Sequence, residues 1–561
     1  MARLLTLHHP NEARDYYAAG LWQRSSLYDL VSRWATERGD SPAVRDVNRR
    51  LTWAQFKAEV DTVAEVLRAS GLTAGDRVSV WMSNRIEAVV IFIACSRNGY
   101  VFNTSLHHTY TVEEVVTLLD RVTCRAFFGE FLHGADGASA DVFSRVSALP
   151  CVKASFFLQP RAGGEHVHAG AVRPYPTQTV SVAPAPPQDP DQIVYLAFTS
   201  GTTGAPKGVM HSDNSLLANA RAMVSDWDHD ASTVLLTLSQ MSHHIGTVAL
   251  CQALAGGFEL VLSHSSVGAE AVSLIERTGA TYVMGVPTHA IDILAELNSR
   301  RADRLGQVTV FYMAGAPIAK QTASGLLAVG VKPQNVYGMT ENGSHQYTLP
   351  TDDVETITST CGRSCRAYEI KLFRQDNPDL EVAPGQIGQI GGRGAMRMLG
   401  YFGNQSATEA VMNADGWLMS GDLGCFDEHG NLHVVGRLKD VIIRGGHNIH
   451  PAQIEDLALK HAAVLKAAAV GVADERLGER VCLVITPRGE SAPAAEELLH
   501  HLHGQGLSKF DMPEFFAVLR AMPLGPTGKI LKREIAALIR DGRLVPQPVR
   551  WRGTAPQGVT A

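Results

Sequence analysis

The chain has 561 residues, of which 45% are hydrophobic and 19% are charged, and its formal net charge is −6 at pH 7. This length exceeds what one hydrophobic core holds, so at least two domains are expected, and the negative charge offers no basic surface for nucleic acid. The most apolar runs, near Ala88–Cys95 and Val248–Leu262, are too short or too polar to span a bilayer. Eight scattered cysteines favour reduced thiols and a cytoplasmic location over a disulfide framework.

Helices and strands alternate in the first part of the chain. Thr52 and Gln55 have the spacing of a capping box, and apolar side chains then recur on one helical face. The strand sequence VSVWM follows, and Thr111 with Glu114 begins another amphipathic helix. This alternation indicates mostly parallel sheets covered by helices on both faces. The proline- and glycine-rich residues 160–192 are predicted to form a surface loop.

A glycine-rich loop, Phe198–Gly208 (FTSGTTGAPKG), follows the apolar run IVYLAF, which is typical of a buried strand. Its glycines let backbone N–H groups approach an anion, and its hydroxyl groups and lysine add donors and charge. A flexible linker is the alternative interpretation. Pro206 precedes the lysine, so the pattern is not a P-loop, and the chain has no GxGxxG fingerprint. The residues predicted to bind phosphate are Thr199, Ser200, Gly201, Thr202, Thr203, Gly204 and Lys207.

Four more motifs follow in order. Tyr337–Glu341 (YGMTE), preceded by Gly315–Pro317, offers a ring that can stack, a hydroxyl that can bond a phosphate and a carboxylate that can hold Mg²⁺. Ser420–Asp422, Gly436–Asp440 and Pro526–Lys529 come next. Each motif is weak alone, since SGD or YGMTE is compatible with an ordinary turn. Five motifs in one order are not expected by chance.

This series of motifs resembles that of the adenylate-forming (AMP-binding) superfamily, which includes acyl-CoA synthetases, luciferases and the adenylation domains of peptide synthetases. The resemblance covers about residues 15–545 and is strongest to acyl-CoA ligases of the cyclohexanecarboxylate and short-chain type. It implies an α/β fold with a large N-terminal domain, residues 1–438, of parallel sheets layered with helices plus a small β-barrel-like part. A small mobile α+β domain, residues 439–545, and a disordered tail, residues 546–561, are expected to follow.

The resemblance implies an ATP-dependent carboxylic acid–CoA ligase, an acid–thiol ligase with MgATP and coenzyme A as cofactors. An acyl-adenylate forms with release of pyrophosphate, and a thiol then takes the acyl group with release of AMP. The implied catalytic residues are Lys529, Thr340 and Glu341, of which Glu341 holds Mg²⁺. Besides the phosphate loop, the implied ATP- and AMP-binding residues are Gly315, Ala316, Pro317, Tyr337, Gly338, Met339, Thr340, Asp422, Arg437 and Lys529.

The resemblance also implies a hinge at Lys439 and a thiol-facing loop at Gly445, Gly446 and His447. In the family this loop commonly reads Gly-Gly-Glu-Asn, so a histidine here replaces the glutamate. Histidine is the residue type whose charge changes near neutral pH. The sequence does not determine how this replacement affects the reaction with the thiol.

The implied acid pocket is formed by His243, Gly285, Val286 and Pro287, and its segments are small and apolar. They favour a short- to medium-chain, alicyclic or aromatic acid. The neighbouring His244 is equally compatible with the pocket and with the core. Aryl-acid adenylating enzymes that load a separate carrier-protein phosphopantetheine share the same opening sequence and remain the alternative. A non-catalytic nucleotide-binding protein is disfavoured because the implied catalytic lysine and carboxylates are all retained, and a homodimer is possible.

Overall fold

The computed structural model describes residues 9–161, 166–168, 171–178, 180–199, 206–265, 267–316, 318–525 and 529–551. The chain divides into two compact units. Unit 1 comprises Met1–Ile370 and Gly392–Leu418, and unit 2 comprises Lys371–Gly391 and Met419–Ala561. Within the described ranges, no helix is both long enough and apolar enough to cross a membrane.

The helices of the described chain are, in order, α1 (Pro10–Ala18), α2 (Leu27–Glu37), α3 (Trp53–Ala69), α4 (Ile86–Asn98), α5 (Val112–Arg121), α6 (Val142–Ser147), α7 (Asp213–Asp226), α8 (His244–Gly256), α9 (Gly268–Thr278), α10 (Pro287–Arg300), α11 (Lys320–Ala328), α12 (Val354–Ser359), α13 (Gln405–Glu409), α14 (Pro451–Leu459), α15 (Ala495–Gly504) and α16 (Lys532–Arg540).

The strands are β1 (Pro42–Arg45), β2 (Arg50–Thr52), β3 (Arg77–Trp81), β4 (Val101–Asn103), β5 (Cys124–Glu130), β6 (Ala154–Leu158), β7 (Arg173–Pro174), β8 (Ile193–Thr199), β9 (Lys207–Ser212), β10 (Val234–Thr237), β11 (Glu259–Leu262), β12 (Tyr282–Gly285), β13 (Val310–Met313), β14 (Lys332–Met339), β15 (Gly343–Tyr347), β16 (Arg363–Ser364), β17 (Tyr368–Phe373), β18 (Gly388–Gly394), β19 (Leu418–Phe426), β20 (Leu432–Arg437), β21 (Ile442–Arg444), β22 (His447–Ile449), β23 (Val464–Asp474), β24 (Gly478–Pro487), β25 (Phe515–Val518) and β26 (Gln547–Pro548).

Unit 1 contains two large sheets. One has the strand order β16-β15-β14-β13-β12-β10-β11-β1-β2, and its central strands from β14 to β1 pair in parallel. The other has the order β7-β6-β5-β3-β4-β8-β9 and is parallel except between β8 and β9. The predicted α/β fold with mostly parallel sheets is therefore confirmed.

The predicted helices of the first part are also confirmed. Helix α3 begins after Thr52 with the predicted capping box to Gln55, and α5 begins after Thr111 with a second. Every residue of α4 is buried, which explains why the run Ala88–Cys95 is apolar on all faces of the helix. The proline-rich segment 160–192 differs in one respect, because Arg173 and Pro174 extend the sheet edge as β7.

Unit 2 contains a six-stranded sheet in which β22, β21, β24, β25 and β26 follow one another and β23 also pairs with β24. The α+β character expected after residue 438 is found there in the strands β23, β24 and β25 and the helices α14 and α15. A further four-stranded sheet has the order β17-β18-β19-β20. The small β-barrel-like part expected in the N-terminal domain stays a prediction. The helix α16, packed through the buried Ile535, was not predicted.

The compact unit 2 contains residues 371–391 and 419–438 together with the C-terminal residues. The sequence placed the boundary at residue 438, on the expected hinge. The two compact units are defined by packing in one conformation, whereas a hinge is defined by motion between conformations. The division into residues 1–438 and 439–545 therefore stays a prediction. The tail 546–561 is described only as far as residue 551.

Candidate active site

The predicted acid pocket lies at the carboxyl edge of the nine-stranded sheet. Strand β10 lies between β11 and β12, so the strands that follow it in the chain are placed on both of its sides and the strand order reverses there. Such a switch point leaves a crevice outside the strand ends, where ligands bind in α/β proteins. His243 follows β10 and Val286 follows β12, so both predicted pocket segments border this crevice.

Gly315, from the loop after β13, joins the same edge. The Ala314 N–H donates to the Gly285 carbonyl at 3.4 Å, and a Cβ on Gly315 would come within 3.9 Å of Val286 Cγ1. The parallel register of β12 and β13 brings these loops together, since their carboxyl ends share one edge. Pro317 lies outside the described residues.

A pair of stacked imidazoles borders the predicted pocket. The rings of His107 and His243 lie 4.4 Å apart at 20°, and His107 Nδ1 is 3.3 Å from Ser242 Oγ. Burial lowers the pKa of His107 to about 3 and that of His243 to about 4, with nearby histidines adding to the effect. Both rings are therefore neutral at pH 7. His107 was missed by the sequence analysis, because it belongs to no motif.

The phosphate loop is described only at its base. Ser200, Gly201, Thr202, Thr203 and Gly204 lie outside the described residues. Thr199 at the end of β8 pairs with Lys207 at the start of β9 in an antiparallel register. The two predicted phosphate-binding residues that are described thus stand side by side where the loop leaves the sheet.

Thr340 and Glu341 follow β14 and are held by two side chains from distant parts of the chain. His211 of β9 contacts the Thr340 carbonyl through Nε2 at 2.6 Å, and the Tyr401 hydroxyl donates to Glu341 Oε1 at 2.9 Å. The Met398 N–H also donates to the Glu341 carbonyl at 2.7 Å. These contacts place the end of YGMTE against β9, the strand that leaves the phosphate loop.

The start of the same motif occupies a crowded turn. The ring of Tyr337 meets that of His345 edge-on, with centroids 5.4 Å apart. A Cβ on Gly338 would collide with the carbonyl oxygen of Gly343, so glycine is required there. The Met339 N–H donates to Asn342 Oδ1 at 3.0 Å and closes the turn.

In unit 2, Asp422 and Arg437 form an ion pair across neighbouring strands, with Arg437 Nε 3.1 Å from Asp422 Oδ1. Lys529 lies within electrostatic range of this pair. The pKa of Lys529 is lowered to about 8, mainly by loss of hydration and then by the positive charge of Arg437, while the carboxylates of Asp422 and Asp440 oppose the shift. The predicted catalytic lysine and two predicted nucleotide-binding residues therefore share one charged cluster. Residues 526–528 of its motif lie outside the described residues.

The predicted hinge and thiol loop are consecutive in unit 2. Lys439 lies in a 3-10 helix, Leu438–Asp440, between β20 and β21. Gly445 and Gly446 form the two-residue turn between β21 and β22, with φ angles of +58° and +84°. Two positive φ angles are typical of a hairpin turn that matches strand twist, and they favour glycine. His447 is exposed, and its Nε2 lies 2.7 Å from Asp511 Oδ1.

The chain matches a known protein family. The family model described as "AMP-binding enzyme" matches residues 31–402, which is more than half of the chain. The chain belongs to this family. The model of the family's C-terminal domain matches residues 453–529.

Individual relatives agree with this membership. A medium-chain fatty-acid–CoA ligase of Escherichia coli strain K12 is 28% identical over 93% of this chain and 92% of its own length. A 2,3-dihydroxybenzoate–AMP ligase of Bacillus subtilis strain 168 is 28% identical over 95% of this chain and 97% of its own. The crystal structure of ATP-bound MatB from Rhodopseudomonas palustris aligns with a TM-score of 0.80 at 25% identity, covering 92% of this chain and 99% of that one.

The predicted superfamily and enzyme class are thereby confirmed: the protein is an AMP-forming acid–thiol ligase, a class that uses MgATP and coenzyme A. Among the residues that the structure describes, no three His, Cys, Asp or Glu side chains are grouped to hold a metal ion. A single buried carboxylate, Glu341, fits Mg²⁺, since Mg²⁺ in nucleotide sites takes one or two carboxylates plus phosphate oxygens.

Proposed function

We propose that the enzyme is an ATP-dependent carboxylic acid–CoA ligase that works in two half-reactions. The acid's carboxylate attacks the α-phosphorus of ATP, and the bond to pyrophosphate breaks, which gives an acyl-adenylate. The sulfur of coenzyme A then attacks the acyl carbon, and AMP leaves as the thioester forms. Adenylation makes the acyl carbon electrophilic by itself, so a Ser-His-Asp set is not needed.

One observation carries the proposal. His211 of β9 holds the carbonyl of Thr340 at 2.6 Å, so the YGMTE turn is fixed to the strand that begins at Lys207. This contact joins residues 129 positions apart in the chain, so the segment that begins at Lys207 adjoins the one that carries Thr340 and Glu341. A lysine, a threonine and a carboxylate on adjoining segments suit a nucleoside triphosphate, because catalysis of phosphoryl and nucleotidyl transfer depends mainly on positioning and charge neutralisation.

Within unit 1 we assign ATP recognition to the predicted residues. Thr199, Lys207 and the loop residues 200–204 bind the phosphates, and the Thr340 hydroxyl binds the α-phosphate. The Tyr337 ring stacks on adenine beside Gly315–Pro317. Glu341 holds Mg²⁺, which when bound neutralises charge on the phosphate oxygens.

Within unit 2 we assign Asp422 to the ribose hydroxyls and Lys529 to the negative charge that builds up in adenylation. The surroundings of Lys529 support this, since burial first and then the charge of Arg437 lower its pKa to about 8, just above neutral pH. We propose that residues 439–545 rotate about Lys439 between the half-reactions, a hinge motion in which few residues change conformation. The Gly445–His447 turn then serves the thiol.

We further propose a short- to medium-chain, alicyclic or aromatic acid as substrate. The predicted pocket segments offer small apolar residues and two neutral imidazoles, so they provide no charge for a second carboxylate or an amine. The relatives' names, which specify a medium-chain fatty acid and a dihydroxybenzoate, fit this range.

A second candidate is an aryl-acid adenylating enzyme that loads the phosphopantetheine of a separate carrier protein. The 2,3-dihydroxybenzoate–AMP ligase, which matches 95% of the chain, favours it. The two candidates share the first half-reaction and differ in the thiol that accepts the acyl group.

Pyrophosphate release tests both candidates. The assay uses MgATP with fatty acids of graded length, cyclohexanecarboxylate, benzoate and dihydroxybenzoate, each with and without coenzyme A. Sustained turnover that requires coenzyme A, with AMP as product, supports the ligase. A single burst that coenzyme A does not change contradicts it and favours the carrier-loading enzyme. The cytoplasmic location and the homodimer stay predictions, and light scattering of the purified enzyme tests the dimer.

A further inference from the structure

Tyr401 occupies a segment that belongs to none of the five sequence motifs, yet its backbone is fixed beside the phosphate loop. Residues 399–402 run antiparallel to β9. The Met210 N–H donates to the Gly400 carbonyl at 3.0 Å, and the Phe402 N–H donates to the Gly208 carbonyl at 2.7 Å. The Tyr401 N–H donates to Thr408 Oγ1 at 2.9 Å. The position of this tyrosine is therefore set by the strand that leaves the phosphate loop.

The hydroxyl of Tyr401 reaches the carboxylate of Glu341. Its distance to Oε1 is 2.9 Å, and the two residues are only 6% and 7% exposed. Burial first, and then the negative charge of Glu341, raises the pKa of Tyr401, so the hydroxyl remains protonated and donates. A charge-assisted hydrogen bond of this kind is among the stronger ones in proteins.

The ring of Tyr401 faces a second functional group. The Nζ of Lys207 lies 4.8 Å from the ring centroid, within the range of a cation–π contact. One side chain thus touches both the lysine at the base of the phosphate loop and the carboxylate at the end of YGMTE. The five motifs contain both of these partners but not the residue between them.

We propose that Tyr401 is a positioning residue that orients the Glu341 carboxylate for Mg²⁺ through its hydroxyl and the Lys207 ammonium for phosphate through its ring. This rests on the proposed roles of Glu341 and Lys207 in binding MgATP. The terminal torsion of glutamate is broad, so the hydrogen bond selects one orientation of the carboxylate before the metal arrives. Residues that orient a metal ligand typically change metal affinity 10–100-fold when they are removed.

Two substitutions separate the two contacts. Tyr401→Phe removes the hydroxyl and keeps the ring, whereas Tyr401→Leu removes both. The matched control is Tyr347→Phe, because the Tyr347 hydroxyl also donates to a carboxylate, Asp226, at 2.7 Å in the same unit. Isothermal titration measures ATP binding at graded Mg²⁺ concentrations without any acid, so turnover does not enter.

For Tyr401→Phe we expect the half-saturating Mg²⁺ concentration for ATP binding to rise about tenfold, with ATP binding in EDTA unchanged. For Tyr401→Leu we expect the same rise and, in addition, weaker ATP binding in EDTA. The Tyr347→Phe control keeps the wild-type Mg²⁺ dependence. If Tyr401→Phe lowers the thermal midpoint but leaves the Mg²⁺ dependence at wild type, the hydroxyl is merely structural and the proposal is overturned.

A double-mutant cycle with Glu341→Gln tests whether the hydroxyl acts through Glu341. We expect Tyr401→Phe to add little to the effect of Glu341→Gln, and fully additive effects overturn the proposal. If Glu341→Gln shifts the Mg²⁺ dependence and Tyr401→Phe does not, only the role of Tyr401 fails. If Glu341→Gln itself leaves it unchanged, the proposed metal site fails and the positioning role falls with it.

Discussion

His211 donates a hydrogen bond from Nε2 to the backbone carbonyl oxygen of Thr340 at 2.6 Å. A carbonyl only accepts, so Nε2 carries the proton, and Nδ1 is left to accept from Ser215 Oγ at 3.0 Å. Burial lowers the pKa of His211 to about 4, which keeps the ring neutral in the working range of an enzyme. The ring also stacks on His244 at 5.5 Å and 18°, so its orientation is fixed from two sides.

Replacing His211 should therefore displace Thr340. We expect His211→Leu to lower kcat/KM for pyrophosphate release by about 100-fold, the cost that a misplacement of about 1 Å can have. His211→Gln should recover much of the loss, because its amide can donate to the same carbonyl. The control is His229→Leu, which removes a partly buried imidazole, stacked on Tyr282. Equal losses in His211→Leu and His229→Leu would mean that only stability is affected.

Lys529→Ala should act on one half-reaction. We expect pyrophosphate release to fall about 100-fold or more, the usual cost of removing a group that stabilises transition-state charge. Thiolation of a supplied acyl-adenylate should stay near the wild-type rate. Lys532→Ala is the matched control, since Lys532 pairs with Glu455 at 2.6 Å on the same unit. Equal loss in both half-reactions would contradict domain alternation.

The pKa of about 8 for Lys529 predicts the alkaline limb of the pH profile. The ammonium is protonated below this value, so kcat/KM for adenylation should fall as the pH rises through about 8. Asp440 opposes the lowering of the Lys529 pKa. Asp440→Asn should therefore move the limb to lower pH, which a profile from about pH 6.5 to 9.5 would show. A limb that moves upward would exclude Lys529 as the titrating group.

Lys439→Pro should restrict the proposed hinge. Proline fixes φ near −65° and removes an N–H donor, so the 3-10 helix around residue 439 loses the freedom that a rotation requires. We expect pyrophosphate release in a single turnover to persist and thioester formation to be suppressed. Lys439→Ala, which removes only the side chain, serves as the control. Unchanged overall turnover of the proline variant would remove Lys439 from the hinge role.

The turn at Gly446 offers a test of local strain. A Cβ there would meet nothing within 4 Å, so Gly446→Ala changes only the backbone, whose φ of +84° is unfavourable for alanine. We expect a loss of about 1–2 kcal/mol in the free energy of unfolding, together with slower thioester formation. Gly489→Ala is the control, because its Cβ also meets nothing and its φ is not in the left-handed region. Equal stability of the two variants would contradict the strain.

The sequence predicted the helices and strands that depend on residues close together in the chain. The capping boxes at Thr52 and Thr111 and the strand before the phosphate loop depend on residues within a few positions of one another. The strand β7 and the helix α16 were missed. Strand β7 has only two residues, and α16 buries a single side chain, Ile535, so neither has a clear apolar pattern in the sequence.

The sequence by itself thus determined the family, the order of the motifs and the residue types that chemistry on ATP requires. Only the tertiary structure decided which side chains hold those residues in place. Tyr401 and His107 carry no local pattern that marks them, and their partners lie 60 and 136 positions away along the chain. Pairing of distant strands brings such residues together, and the energy of that pairing depends on the packed sheet rather than on neighbouring residues.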